Sequence, residues 1–128
     1  MGTSSKELAL KLRKLAKRQH GCFTAAQAIA SGYADSVHLY HVKNGKWIRI
    51  FRGVYRFVDA PATPTARCMA ALLWTRNKTG KIQGFITTET TELLRSKTLT
   101  DTQPIQIGVP QGFRRSSDVP DGIKIIFL

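Results

Sequence analysis

Acidic side chains are scarce: 8 Asp and Glu stand against 20 Lys and Arg in 128 residues, a formal charge of +12. Such an excess repels itself when a chain compacts, and a polyanion relieves it. Nucleic acid is therefore the first partner to consider and an anionic membrane surface the second. The few carboxylates are also scattered, which leaves little for acid–base chemistry. Glu89 and Glu92 lie three apart but read as helix-start and surface charges, and Asp118 and Asp121 fall around a Pro-Asp-Gly turn. No Gly-rich phosphate loop and no nucleophile–base pairing is visible, so no enzyme is expected.

Cysteine is nearly absent. Cys22 and Cys68 each sit in an apolar stretch without a CxxC partner and read as buried thiols of a reducing compartment. The histidines are His20, His38 and His41. Their expected role is surface or helix packing, with no metal and no cofactor. No apolar run approaches a membrane span, and residues 1–20 are too charged for a signal peptide. The expectation is a soluble cytoplasmic protein.

What is present is a core-forming share of hydrophobic residues, 42%, and an uneven charge. Residues 1–60 hold 11 Lys and Arg against 3 acids, whereas residues 61–128 hold 9 against 5. The first half is the expected contact surface.

Apolar spacing predicts helix one over Lys6–Arg18, with Leu8, Leu12 and Leu15 inward and Gly21 breaking it. Helix two is predicted over Thr24–Ser31. Thr24 and Gln27 form a capping box, Phe23 starts a hydrophobic staple, Ala26, Ile29 and Ala30 supply the buried stripe, and Gly32 follows the end. After the short turn Gly32-Tyr33-Ala34, Asp35 or Ser36 caps helix three, which Gly45 ends. Leu39 and Val42 are expected to face the core, leaving Val37, Tyr40, His41, Lys43 and Asn44 outward. Trp47–Phe57 reads as a hairpin around Arg52-Gly53. A two-residue loop pairs Ile50 with Tyr55 and Ile48 with Phe57 on one face. On the other it sets Phe51 beside Val54 and Arg49 opposite Arg56. Two facing arginines repel each other unless an anion lies between them.

Ala60–Pro64 reads as a loop. Helix four follows, capped by Thr63 with Pro64 at its first position, and Ala66, Ala70 and Leu73 form its seam beside Trp74. A strand around Gly84–Thr87, a short helix Glu89–Arg95, and strands Ile105–Val109 and Ile123–Leu128 complete the pattern, with a polar loop holding Arg114 and Arg115 between the last two. An apolar strand at this end predicts a pairing partner or a longer natural chain.

The order helix, helix, tight turn, helix, hairpin predicts an α+β fold: a winged helix-turn-helix over residues 1–60, then a small α/β extension over residues 61–128. In that plan helix three enters the major groove of double-stranded DNA. Ser36 is placed to donate to a phosphate and Val37 to meet a thymine methyl. Tyr40 and His41 offer hydrogen-bonding tips to bases, and Lys43 suits a phosphate. The wing tip, Arg52-Gly53, is placed against the flanking backbone or in the minor groove, with Arg49 and Arg56 behind it. Trp47, Tyr55 and Trp74 read as core and wing residues rather than a base-stacking platform.

These residues also carry a likeness. Phe23-Thr24-Ala25-Ala26-Gln27-Ala28, Ser31-Gly32-Tyr33, Tyr40-His41-Val42-Lys43-Asn44-Gly45-Lys46-Trp47 and Arg49-Ile50-Phe51-Arg52-Gly53-Val54-Tyr55-Arg56 resemble the N-terminal domain of AbiEi-type antitoxins. Pro61 through Trp74 is similar to the helix that follows there. Thr87-Thr88-Glu89-Thr90 resembles a Ser-His-Glu-Thr segment, with Thr88 where the family often has His. Val109-Pro110-Gln111-Gly112-Phe113-Arg114-Arg115 resembles a Val-Pro-x-Gly-x-Arg-Arg turn.

The resemblance implies a transcriptional regulator that represses its own toxin–antitoxin operon at an inverted-repeat operator, with a homodimer on the DNA. It implies a nucleotidyltransferase-type toxin as functional partner, countered without a stable complex. Family members usually continue further, so the part linked to antitoxicity is expected to be missing or reduced here. Non-specific binding of RNA or DNA, and a winged-helix module that contacts protein, remain as alternatives.

Overall fold

The computed structural model describes residues 5–114 and 118–128; Arg115 of the quoted turn lies outside the described residues. The chain divides into two compact units, Met1–Ala62 and Thr63–Leu128.

The first unit is a winged helix. It runs α1 (Ser5–Lys17), β1 (Cys22–Thr24), α2 (Ala25–Ala30), a 3-10 turn (Asp35–Val37) leading directly into α3 (His38–Lys43), β2 (Trp47–Phe51) and β3 (Val54–Phe57). The strands form an antiparallel sheet of order β1-β3-β2. Leu12 of α1 is fully buried, with Leu8 and Leu15 half-buried beside it, as the apolar spacing predicts. They meet Phe23, Ala28, Tyr33, Trp47 and Phe57 in one core. Arg13, on the flank of α1, lies over the Phe57 ring at 4.4 Å and donates to both carboxylate oxygens of Asp59 at 2.9 Å. That hydrogen bond holds the Asp59 carboxyl below its ordinary range.

The capping box forms. The Gln27 amide N–H donates to Thr24 Oγ1 at 3.1 Å, and Thr24 N–H donates back to Gln27 Oε1 at 2.9 Å. Gln19 and Gln27 side-chain amides also pair reciprocally, which ties the end of α1 to the start of α2. The buried stripe differs from expectation. Ala26, Ile29 and Ala30 are exposed, and Ala28 is the buried residue of α2. The reason is β1, a three-residue strand not foreseen from the sequence. Its residues are all buried and deliver the chain already pinned to β3, so the six-residue helix is oriented by the strand before it. At the end of α2, Gly32 adopts φ +113°, and a Cβ there would fall 2.4 Å from Leu8.

The hairpin turns at Arg52-Gly53 as expected, with Phe51 opposite Val54. Beyond that pair the register shifts. Arg49 lies opposite Tyr55, Ile48 opposite Arg56 and Trp47 opposite Phe57, with an irregularity between Arg49 and Phe51. The expected pairs Ile50–Tyr55, Ile48–Phe57 and Arg49–Arg56 are therefore not formed. An extra residue, Ile50, is inserted on β2, and a one-residue slip exchanges the faces of every side chain beyond it.

The second unit comprises α4 (Pro64–Trp74), β4 (Phe85–Ile86), α5 (Thr88–Arg95), β5 (Ile105–Val109) and β6 (Ile123–Phe127). Its sheet has order β4-β5-β6, with β5 antiparallel to β4 and parallel to β6. Thr63 caps α4 by accepting from Ala66 N at 3.0 Å, Pro64 occupies the first turn, and Ala66, Ala70, Leu73 and Trp74 are buried. In the segment read as similar to Ser-His-Glu-Thr, Thr87 caps α5 and donates to Gln106 Oε1 at 2.6 Å, and Thr90 Oγ1 accepts from Gln106 N. Thr88 itself is exposed. Among the described residues no helix is long and apolar enough to cross a membrane.

The two readings of α2 make opposite demands on stability. Gln27→Ala removes half of the capping box and is expected to destabilise the chain by about 1 kcal/mol in urea unfolding. Ile29→Ala is expected to stay within about 0.5 kcal/mol, as at other exposed positions. A decrease of about 2 kcal/mol or more at Ile29 would restore the buried-stripe reading.

Candidate nucleic-acid interface

The orientation of α3 decides what this unit can touch. The turn at Tyr33-Ala34 delivers the chain in extended backbone, and neither the 3-10 turn nor α3 receives a side-chain cap. The expected cap from Asp35 or Ser36 is thus not made. Asp35 instead leans toward His38, with Oδ1 3.6 Å from Nδ1.

His38 is buried, its ring 5.5 Å from Trp47 and 6.0 Å from Tyr55. His41 is half-buried, stacked on Trp47 at 4.6 Å with Tyr33 edge-on at 5.4 Å. The two imidazoles lie three residues apart on one helix face, and Val42 completes that face. Val37, just before α3, also packs against the core. The helix is thereby turned so that Leu39 is 62% exposed.

This corrects the expected phase in three places. Leu39 does not face the core, Val37 does not point outward, and His41 lies on an aromatic ring. The exposed face is Ser36, Leu39, Tyr40 and Lys43, at i, i+3, i+4 and i+7. The Tyr40 ring has its edge contact with His41 on its own helix, at 5.4 Å. Leu39 is the residue sequence reasoning missed. Its signal was the helical spacing it shares with Ser36, Tyr40 and Lys43, which its apolar character overrode.

A groove of about 400 Å³ separates α3 from the hairpin. His38, Leu39 and Val42 line one side, and Arg49, Arg52 and Tyr55 line the other, with Asp35 the acid among its lining residues. Arg49 enters it because it shares a sheet face with Trp47 and Tyr55. Arg52 is exposed at the hairpin tip. Among the described residues neither arginine forms an ion pair, whereas Arg13 and Arg95 do.

The tip is fixed. Ala25 N–H donates to the Gly53 carbonyl at 2.9 Å, and Gly53 takes φ +73° to make the turn. Arg56 lies on the opposite sheet face, beside Cys22 and Ile48 in register, and its Nε is buried without a hydrogen-bond partner among the described residues. Burial pushes the Cys22 thiol up to about 11, and the Arg56 charge works against that rise. The groove therefore brings Leu39 together with Arg49 and Arg52, the exposed face of α3 adds Ser36, Tyr40 and Lys43, and Arg56, Val37 and the His41 ring lie outside that face. Among the described residues no three of His, Cys, Asp and Glu gather where they could hold a metal ion.

Residues 11–58 match the family described as "Transcriptional regulator, AbiEi antitoxin". The match begins within α1 and ends one residue beyond β3, so it covers the winged helix and leaves the second unit outside. No curated protein matches the chain.

The packing of His41 makes stability depend on pH. Burial against Trp47, then the neighbouring His38 and Lys46 charges, lower its pKa below the ordinary 6.5. The unfolded chain then takes up the proton more readily than the folded one. The stability linked to neutral His41 is present above about pH 6.5 and is lost as pH falls from there through the lower folded value. The melting temperature is expected to drop between pH 7.5 and 5.5, and His41→Phe, which keeps a ring on Trp47, should flatten that drop. An equally steep decline in the variant would place the titration elsewhere.

Proposed function

We propose, from the match of residues 11–58 to the AbiEi antitoxin regulator family, that this chain binds duplex DNA sequence-specifically and represses its own operon. In this reading α3 lies in the major groove with Ser36, Leu39, Tyr40 and Lys43 toward the bases and adjoining phosphates. Arg49 and Arg52 hold the neighbouring backbone. The observation that carries it is the juxtaposition of one exposed helix face with two arginines free of ion pairs among the described residues, in the half of the chain that holds most of the positive charge. Phosphate contacts supply affinity and set the register, and base-edge contacts supply selectivity. Two copies on an inverted repeat would place two such helices on successive turns of one DNA face. Such an operon would encode a nucleotidyltransferase-type toxin beside it, countered without a stable complex, and its DNA is met in the cytoplasm.

Fluorescence anisotropy across a salt series tests this, comparing the duplex enriched from a randomised pool with random duplex and with RNA. A preference of at least 10³-fold for the enriched duplex is the expected result. Arg49→Ala with Arg52→Ala should lower the slope of log affinity against log salt by about 0.9 for each phosphate the variant no longer neutralises. Arg56→Ala, on the other sheet face, should leave the slope unchanged. An unaltered slope in the double variant argues against the groove. Equal affinity for all nucleic acids supports a non-specific binder, and no binding at physiological salt supports a protein-contact module.

A further inference from the structure

We propose that Leu39 reads a thymine in the bound DNA through the 5-methyl group, an inference that rests on the DNA-binding reading above. Leu39 is 62% exposed in the middle of the outward face, between Ser36 one turn before and Lys43 one turn after. Its side chain has no donor and no acceptor. The base edges in the major groove present donors, acceptors and a single kind of apolar group, the thymine methyl. A leucine held against those edges gains from the methyl alone and leaves the polar edge of any other base without a partner.

The surroundings favour this occupant over an apolar protein surface. Leu39 shares its groove with Arg49 and Arg52, and Lys43 stands four residues on along the same face. An apolar partner would cover the leucine and strand three cations, whereas duplex DNA supplies phosphates to the cations and a methyl to the leucine. Val37 offers the other aliphatic side chain at this end of the helix, and it is committed to the core. Leu39 is the aliphatic group of the exposed face that remains.

The test uses the whole chain and the duplex it enriches from a randomised pool. Each thymine is replaced in turn by deoxyuridine, which removes the methyl and keeps the pairing and the O4 acceptor. At one thymine of each half-site the replacement should weaken wild-type binding about fourfold, the worth of one buried methyl-sized group. Leu39→Ala should weaken binding to the thymine duplex by about the same factor and be indifferent to uridine at that position. Leu39→Met, which retains apolar reach, should keep the discrimination.

Thermal melting checks that the variants fold, as the exposure of Leu39 predicts. If Leu39→Ala melts early, Leu39→Gln, which suits an exposed helix position and replaces the apolar end by an amide, reads the coupling instead: it should lose the discrimination between thymine and uridine that the wild type and Leu39→Met keep. Several outcomes overturn the proposal: uridine costs the same in both proteins, no thymine is sensitive, or Leu39→Ala splits a dimer without changing discrimination on DNA. If the wild type enriches no duplex, the DNA-binding reading fails and this inference with it. An enriched duplex indifferent to uridine overturns the methyl contact alone.

Discussion

The indole of Trp47 is the contact on which the first unit turns. It is 2% exposed, and the rings of Phe23, Tyr33, His38, His41, Tyr55 and Phe57 lie between 4.6 and 6.5 Å from it. Those partners come from β1, the turn before α3, α3 itself and β3, so one side chain docks the helix onto the sheet. The hairpin is shaped to permit this. A two-residue turn with regular pairing would put Trp47 on the same face as Val54 and Arg56, away from Tyr55 and Phe57. The inserted Ile50 reverses the faces of Arg49 and Trp47 while leaving the Phe51–Val54 pair at the turn. The bulge is what brings the tryptophan to the core and, two residues along, Arg49 to the groove.

The same constraint sets the electrostatics of the two sheet faces. Arg49 follows Trp47 and lies beside α3, whereas Arg56 follows Cys22 and Ile48 to the other side. Repulsion between them, which an unbulged hairpin would impose, is avoided without an anion. The bond from Ala25 N–H to the Gly53 carbonyl then holds the tip against the start of α2. The backbone position of Arg52 relative to α3 is thus set by the fold, and a positioned hairpin tip would lose less freedom on binding than a loose wing would.

Features that depend on near neighbours in the chain were legible in the sequence. The capping box at Thr24 and Gln27, the Thr63-Pro64 helix start, the Arg52-Gly53 turn and the strand Ile105–Val109 each follow from residues within one turn or one strand. Features that depend on distant partners were not. β1 exists because three residues pair with β3, and nothing in Cys22-Phe23-Thr24 alone distinguishes a strand from a helix entry. α2 and α3 have six residues each, fewer than two turns, so more than one rotation suits their apolar residues. The choice is made by Phe23 and Trp47 from outside the helices. For the candidate site, the chemical types of Ser36, Tyr40, Lys43, Arg49 and Arg52 mark them in the sequence; the first three are exposed on α3 and the two arginines line the groove beside it. Leu39 escaped the same reasoning, because its chemical type pointed inward.

The rotation of α3 runs against burial preference. A turn of the helix about its axis would hide Leu39 and return His38 to water. As it stands, a leucine is exposed and His38 Nε2 is buried without a hydrogen-bond partner among the described residues. Each carries a cost, the second on the order of 1–3 kcal/mol for an unmet buried polar group. The compensation visible within the fold is aromatic: His41 on Trp47, and His38 against Trp47 and Tyr55, contacts that a leucine cannot match in geometry. That explains why the imidazoles are inside. It does not by itself require an aliphatic residue outside, since Gln or Lys at position 39 would serve an exposed helix face with less apolar surface in water. A local departure from the folding pattern, placed on the face that Arg49 and Arg52 border, is the feature that folding alone leaves unexplained and that the proposed DNA contact would account for.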